Sequence, residues 1–182
     1  MTPSDDSTIM ESLAMGDRRA FRLFYERYAE FIYRIAYRFL GNPEDARDIT
    51  QSVFVTIVQS AHRYRPEAKL STWIYRIVIN RCLNYRSKVD RRLRVSATER
   101  ELEDIPAPEE KRPDRLMDRA EQRASLSAAI QALPERGRMA VILCCYEGKS
   151  YKEIADLLGC SKKSVESLLV RARRSLAEYF SK

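Results

Sequence analysis

The chain has 182 residues, of which 45% are hydrophobic, so it is long enough for one domain or two small ones. Its 33 Lys and Arg residues outnumber its 26 Asp and Glu residues, and the resulting net charge of +7 favours a polyanionic partner. No apolar run reaches the roughly 20 residues that a bilayer requires, and the polar start MTPSDDST lacks a signal peptide's apolar core. Composition therefore argues against a membrane-inserted or secreted protein and predicts a cytoplasmic one.

The first part of the chain has a helical pattern. With only five glycines and no run of alternating β-branched residues, the chain is predicted to be all-α. A helix is predicted over 18–40, ended by Gly41, and another opens at Pro43 and runs to about Ala61. The side chains expected to face inward on these two helices are Phe21, Phe24, Tyr28, Phe31, Ile32, Ile35, Phe39, Ile49, Val53, Phe54, Ile57 and Val58.

The helix that opens at Pro43 has a second face. Glu44, Asp48, Gln51 and Val55 follow one another at spacings of four, three and four, so they share one side of the helix. A purely solvated face would more often carry Lys or Glu at position 55. This face is predicted either to bind a partner helix or to be ordinary solvated surface.

An irregular stretch, HRYRPEAKLS at 62–71, precedes a further helix that Ser71 is predicted to cap. Ten basic residues lie between Arg63 and Arg94, opposed only by Glu67 and Asp90. This density suits a phosphate backbone, and Tyr64 and nearby asparagines can stack on or hydrogen-bond to exposed bases. The alternative is a solvated basic face, and Trp73 is predicted to be a core residue.

The segment 94–117 differs from its flanks. It mixes charges of both signs, contains Pro106, Pro108 and Pro113, and has few large apolar residues. Such a composition is typical of a flexible linker. The chain is therefore predicted to have two domains, 1–93 and 118–182, joined by the linker 94–117.

The second domain ends in a predicted helix-turn-helix at 150–176. Ile154, Leu157 and Leu158 form one apolar face, Gly159 supplies the turn, and Ser161 is a suitable N-cap for the second helix. Buried apolar thiols are the expectation for the cysteines, because no C-x-x-C spacing suggests a metal site. These cysteines are Cys82, Cys144, Cys145 and Cys160.

Five segments in order resemble the bacterial RNA polymerase sigma factors of the extracytoplasmic-function (ECF, group IV) type, in the sigma-70 superfamily. They are GDRRAFRLFYERY (16–28), DARDITQSVFVTI (45–57), STWIYRIVINRCLNYRSK (71–88), ALPERGRMAVIL (132–143) and SYKEIADLLGCSKKSVESLLVRARRSL (150–176). The resemblance covers nearly the whole chain. It implies a sigma-2 helical bundle and a sigma-4 helix-turn-helix domain, and an alternative sigma factor that directs promoter-specific transcription initiation.

The resemblance also implies three binding sites. The residues expected to bind core polymerase are Asp45, Asp48, Gln51 and Val55. Those expected to melt and read the minus-ten element are Tyr64, Arg65, Lys69, Arg76, Asn80, Asn84, Arg86 and Lys88. Those expected at the minus-thirty-five element are Ser161, Lys162, Lys163, Ser164, Ser167, Arg171 and Arg174. Lys163, Ser164 and Glu166 depart from the family pattern, so the resemblance leaves the minus-thirty-five base preference open.

The partners implied are the clamp helices of the polymerase's largest subunit, the flap of its second-largest subunit, promoter DNA, and an anti-sigma factor of soluble or membrane-bound type. The free chain is expected to be a monomer without membrane insertion, cofactor, metal or enzymatic activity. Two alternatives remain. A stand-alone helix-turn-helix regulator would favour a dimer with an effector pocket, and a serine recombinase would need a nucleophilic serine on an α/β domain.

Overall fold

A computed structural model describes the backbone of residues 3–67, 69–97 and 115–181, and the side chains of 6–67, 69–88 and 121–181. These residues form eight α-helices, a 3-10 turn and a π-helical turn, with no strand among them, which confirms the all-α prediction. The first unit contains α1 (Pro3–Ala14), α2 (Arg18–Leu40), α3 (Pro43–Ser60), the 3-10 turn Ala61–Arg63 and α4 (Leu70–Ala97). The second unit contains α5 (Arg115–Gln131), α6 (Glu135–Val141), the π-helical turn Ile142–Tyr146, α7 (Tyr151–Leu158) and α8 (Lys162–Phe180).

Local capping residues explain where α2 and α3 begin and end. The Asp17 carboxylate accepts the Arg19 N–H at 2.7 Å, and Gly41, at φ 75°, donates its N–H to the Tyr37 carbonyl. The Asn42 side chain then accepts the N–H groups at the start of α3, directly before Pro43 at the first helical position. The predicted bounds of α2 are confirmed, and α3 ends one residue earlier than expected.

The start of α4 differs from the prediction. Ser71 lies inside the helix, because the Lys69 carbonyl already accepts the backbone N–H groups of Thr72 and Trp73, at 2.9 and 3.2 Å. The helix therefore begins at Leu70, and the prediction that Ser71 caps it was wrong. Trp73 is half-buried and packs against the core.

The helix-turn-helix is confirmed in the second unit. Ser150 and Glu153 form a reciprocal capping box at the start of α7, and these hydrogen bonds from Ser150 lower the pKa of Glu153. Gly159 leaves α7 at φ 59°, a left-handed conformation that favours glycine. Ser161 then caps α8 by accepting the Ser164 N–H, and the side chains that α8 buries are Val165, Leu169 and Ala172.

Two side chains predicted to face inward lie at the surface instead. Phe21 is 38% exposed and Val58 is also 38% exposed, whereas Phe24, Ile32 and Phe39 on the same bundle are fully buried. Phe21 and Val58 both border an open groove between α2 and α3. The aromatic stripe of α2 is therefore wider than the core it packs against.

The two units pack against each other, and their buried side chains form one contiguous hydrophobic cluster. The last turn of α2 approaches α5 so closely that a Cβ on Gly41 would lie 2.9 Å from the Gln131 side chain. Helix α4 runs to Ala97 and α5 begins at Arg115, so helical residues occupy both ends of the predicted linker, and 98–114 lie outside the described residues. The domain boundaries stay a prediction.

The four cysteines do not share one environment. Burial raises the pKa of Cys82 to about 12, as expected of a core thiol. Cys145 is exposed and Cys144 and Cys160 are half-buried, so the expectation of four buried thiols was wrong. Among the side chains described, no group of three or more His, Cys, Asp or Glu residues could hold a metal ion. None of the described helices is both long and apolar enough to cross a membrane.

Candidate functional site

The predicted DNA-binding side chains of α8 lie on its exposed surface. Several are held by bonds within the helix: Ser167 donates to the Lys163 carbonyl at 3.0 Å, and Arg171 donates through Nε to the Ser167 carbonyl at 3.2 Å. Arg174 pairs with Glu178 at 2.8 Å. These bonds leave part of each guanidinium facing solvent, where it can meet a phosphate oxygen.

A second helix adds a cation to this surface. Arg136, near the start of α6, lines an open concavity of about 530 Å³ together with Ser161, Lys163 and Arg171. Its Nη2 donates to the Leu158 carbonyl at 2.8 Å, which holds the guanidinium beside the turn. The sequence prediction missed Arg136 because the residue lies 22 positions before its bonding partner and outside the helix-turn-helix pattern.

On α4, four of the residues predicted to read the minus-ten element lie along one exposed row. Arg76, Asn80, Asn84 and Lys88 are spaced four residues apart, and all four are exposed. At 1.5 Å per residue the row is about 18 Å long. It presents two amides between two cations, a set of groups that can hold a nucleic-acid strand by its phosphates and hydrogen-bond to its bases.

The loop before α4 contributes an aromatic side chain that contacts this helix. Tyr64 is half-buried, with its ring edge-on to Trp73 at a centroid distance of 5.8 Å. Partial burial, followed by the negative charges of Asp6 and Glu67, raises the pKa of Tyr64, so its hydroxyl stays protonated at neutral pH. Of the remaining predicted residues, Arg65 and Lys69 are exposed and Arg86 is half-buried.

The predicted polymerase-binding residues of α3 are divided between two environments. Asp48, Gln51 and Val55 are exposed, and Val55 is 49% accessible despite its apolar side chain. Asp45 is half-buried and accepts the Tyr85 hydroxyl at 2.6 Å, so its carboxylate joins α3 to α4. The structure therefore gives Asp45 a stabilising contact within the first unit.

Gln51 and Val55 border the groove between α2 and α3, which has a volume of about 1550 Å³. Phe21 and Tyr25 of α2 line its opposite wall, and Tyr25, which is 48% exposed, contacts Phe54 at a centroid distance of 4.8 Å. Exposed aromatic side chains around an apolar groove are typical of a surface that receives a partner helix. The prediction had assigned Phe21 to the core; the aromatic stripe of α2 is wider than one buried face of a helix, which was the sign that part of it would lie at the surface.

Two family models match the chain. The Sigma-70 region 2 model matches residues 24–92, and the Sigma-70, region 4 model matches residues 123–176. The first match contains the exposed row of α4 and the face of α3, and the second contains the helix-turn-helix.

Curated relatives have sequences similar to nearly the full chain. The ECF RNA polymerase sigma factor SigE of Mycolicibacterium smegmatis is 35% identical, over 99% of this chain and 70% of that protein. The RNA polymerase sigma-H factor of Pseudomonas aeruginosa is 33% identical, over 97% of this chain and 94% of its own. The chain belongs to the ECF sigma factors of the sigma-70 family. As an alternative sigma factor, it directs transcription initiation by RNA polymerase.

Two solved structures have the fold of this sigma factor. CnrH, in complex with the cytosolic domain of CnrY, matches with a TM-score of 0.66 at 24% identity and covers 97% of both chains. The sigma factor RpoE of Bartonella quintana, in complex with the anti-sigma factor NepR, matches with a TM-score of 0.65 at 20% identity, over 88% of this chain and 96% of its own. At these identities the likeness concerns the fold.

Proposed function

We propose that this ECF sigma factor divides initiation among three surfaces. The face of α3 with Asp48, Gln51 and Val55 binds the clamp helices of core RNA polymerase. The exposed row of α4, with Tyr64 and the loop before it, melts and holds the minus-ten element, and α8 enters the major groove at the minus-thirty-five element. Arg136 adds a phosphate contact beside α8. The second unit also receives the flap of the polymerase's second-largest subunit.

The observation that supports this division is that the α3 face, the α4 row and the predicted binding side chains of α8 are exposed on helices whose opposite faces are buried. A helix held by its buried face can present its exposed side chains without refolding, which lowers the entropic cost of binding. The groove of about 1550 Å³ beside Gln51 and Val55 gives the docking face an apolar floor on which a helix of the polymerase can pack.

The minus-ten surface combines charge with groups that can receive bases. Stacking one unpaired base on an aromatic ring is worth roughly 1–3 kcal/mol, comparable to the cost of unstacking it from the duplex. Tyr64, whose ring contacts Trp73 of α4, is suited to such stacking, and Asn80 and Asn84 can hydrogen-bond to base edges. The row therefore stabilises a separated strand more than an intact duplex.

We further propose an anti-sigma factor as the regulating partner, acting in the cytoplasm where the polymerase is. CnrH and the Bartonella RpoE, which share the fold, were solved with CnrY and with the anti-sigma factor NepR. An anti-sigma helix seated in the groove of α2 and α3 would exclude the polymerase from Gln51 and Val55, because both partners would need the same apolar floor.

Run-off transcription with purified core polymerase on a library of randomised promoters tests the proposal. Transcripts are expected only with core polymerase and the full chain together, from promoters that share two separated elements. Asp48→Arg, which reverses a charge on the docking face, should weaken holoenzyme assembly at least tenfold, whereas Glu26→Arg, on an exposed part of α2 outside the groove, should not. Tight, specific DNA binding and regulation without polymerase would instead identify a stand-alone regulator.

A further inference from the structure

Helix α1 packs against the 3-10 turn that leads directly into Tyr64. The side chains that α1 buries are Ile9, Met10 and Leu13. The turn Ala61–Arg63 contacts α1, and the Tyr64 N–H, directly after the turn, donates to the Ala61 carbonyl at 3.0 Å. A helix at the start of the chain therefore supports the loop that precedes α4.

One ion pair joins α1 to α2 in the same region. Asp6 Oδ1 lies 3.7 Å from Arg27 Nη1, and the two side chains are 21% and 32% exposed. Among the residues described, this carboxylate oxygen is buried and accepts no hydrogen bond, so Arg27 compensates its charge across that distance. Separating a half-buried carboxylate from its cation is costly, which favours one position of α1 on the bundle.

The charge of Asp6 acts on two phenol groups. After burial, it is the largest of the causes that raise the pKa of Tyr64, and it raises the pKa of Tyr28 on α2 in the same way. Asp6 therefore lies close enough for its charge to reach both hydroxyls. The Tyr64 ring itself contacts Trp73 of α4, so the loop residue is placed between features of α1 and α4.

The position of the Tyr64 ring matters because a base can stack only on a ring that is in place. Tyr64 lies in a loop, after the last hydrogen bond of the 3-10 turn, so the backbone of a helix does not fix it. Ordering a side chain at the moment of binding costs conformational entropy, and a ring that is ordered beforehand avoids this cost.

We propose that Asp6, through its ion pair with Arg27, positions the Tyr64 ring, so that α1 belongs to the apparatus that separates the strands. The part concerning strand separation rests on the proposed function; the positioning of the ring does not. Asp6 is a positioning residue and is assigned no contact with DNA, because its carboxylate would repel a phosphate. The cations of the row on α4 hold the backbone, and Asp6 acts on the strand only through Tyr64.

The fluorescence of Trp73 measures this positioning directly. Trp73 is the only tryptophan of the chain, and its ring centroid lies 5.8 Å from that of Tyr64. Acrylamide quenching of the full chain, without polymerase or DNA, reports how accessible Trp73 is. Asp6→Asn removes the charge at nearly constant volume and should raise the quenching constant by roughly half, because the loop leaves Trp73 more often. Glu11→Gln removes a charge from an exposed site of α1 and should change nothing.

A change at Trp73 must also be shown to pass through Tyr64. Tyr64→Ala should itself raise the quenching constant, and adding Asp6→Asn to it should cause no further increase. Exchanging the charges, as Asp6→Arg with Arg27→Asp, should return the constant toward the wild-type value. If Asp6→Asn does not fold, as judged by circular dichroism, Arg27→Gln breaks the same pair from α2 and should give the same increase.

Two results would overturn the positioning. The first is a folded Asp6→Asn chain with the wild-type quenching constant. The second is an increase that is as large with Tyr64→Ala present as without it, because Asp6 would then act on Trp73 by another route.

Promoter opening tests what the positioned ring does. With the holoenzyme, Asp6→Asn should lower the permanganate reactivity of a duplex minus-ten element about threefold, and that of a mismatched element little, because its bases are already unstacked. Equal losses on both promoters would overturn the role of Asp6 in strand separation. If Asp6→Asn changes the quenching but Tyr64→Ala opens the promoter normally, the proposed function of Tyr64 fails while the positioning stands.

Discussion

The two helices that are proposed to bind DNA, α4 and α8, differ in how much of the fold depends on them. Helix α4 lies in the middle of the molecule: Ile79 and Cys82 are fully buried in the first unit, and Tyr75 contacts the second. Helix α8, the last of the described helices, buries Val165, Leu169 and Ala172, and several of its polar side chains bond within the helix.

The two helices therefore differ in how closely the residues that stabilise the fold are interspersed with the residues that are proposed to bind DNA. On α4 a buried residue and an exposed binding residue can be adjacent, as Ile79 and Asn80 are, so neighbouring substitutions should have unrelated effects. On α8, Ser167, Arg171 and Arg174 form side-chain bonds within the helix. Beside its proposed DNA-binding surface, Arg136 of α6 donates to the Leu158 carbonyl at the end of α7.

The largest effect is expected from Ile79→Ala. Removing a fully buried isoleucine from the middle helix should lower the free energy of unfolding by about 3 kcal/mol, from lost burial and the cavity left behind. Urea denaturation followed by circular dichroism measures it. Asn80→Ala, one residue along, should stay within about 0.5 kcal/mol of wild type. Similar losses for both would mean that α4 does not separate its two roles.

Asn80→Ala should instead act on promoter opening. Losing an amide that contacts an unpaired base should reduce open-complex formation roughly tenfold, or about 1.4 kcal/mol, with little change in binding to an intact duplex. Permanganate footprinting of the holoenzyme on the promoter reports opening, and filter binding to duplex DNA reports the closed complex. Equal losses in both measurements would remove Asn80 from the strand-holding row.

Features whose causes are local in sequence were predicted well. The bounds of α2, the turn at Gly159 and the N-cap at Ser161 depend on residues within a few positions of one another, and each is confirmed. The prediction that Ser71 caps α4 was wrong for a related reason. The Lys69 carbonyl accepts the first N–H groups of the helix, so the helix begins before the serine, and the sequence does not distinguish two helix starts that lie so close together.

Contacts between distant residues could not be predicted. Glu147 and Arg38 are 109 positions apart, and Arg138 and Phe39 are 99 apart, so no periodicity in the sequence links them. The exposed position of Cys145 was also missed, because it lies in a π-helical turn that shifts the faces of the helix following α6. Spacing and charge indicated the α3 face and the basic surface of α4, and the resemblance added the specific roles of all three surfaces. Those roles stay a prediction.

On α8, Arg171→Ala should weaken binding to the minus-thirty-five element several-fold. Because each phosphate contact contributes about −0.9 to the slope of log affinity against log salt concentration, the slope should become shallower by about that amount. Fluorescence anisotropy with the holoenzyme at several salt concentrations gives the slope. Arg123→Ala removes the same charge from an exposed site of α5 and serves as the control. An unchanged slope for Arg171→Ala would exclude it from the DNA interface.

The smallest effect is expected at Arg136, because part of its guanidinium already bonds to the Leu158 carbonyl and less of it can reach a phosphate. Arg136→Ala should lower promoter affinity two- to threefold and make the salt slope shallower by less than one contact. Arg136→Lys keeps the charge but replaces the forked donor with a single ammonium, so the slope should return while part of the affinity stays lost. If Arg136→Ala lowers the melting temperature and leaves the slope unchanged, Arg136 only stabilises the end of α7, and the DNA-binding surface of the second unit is confined to α8.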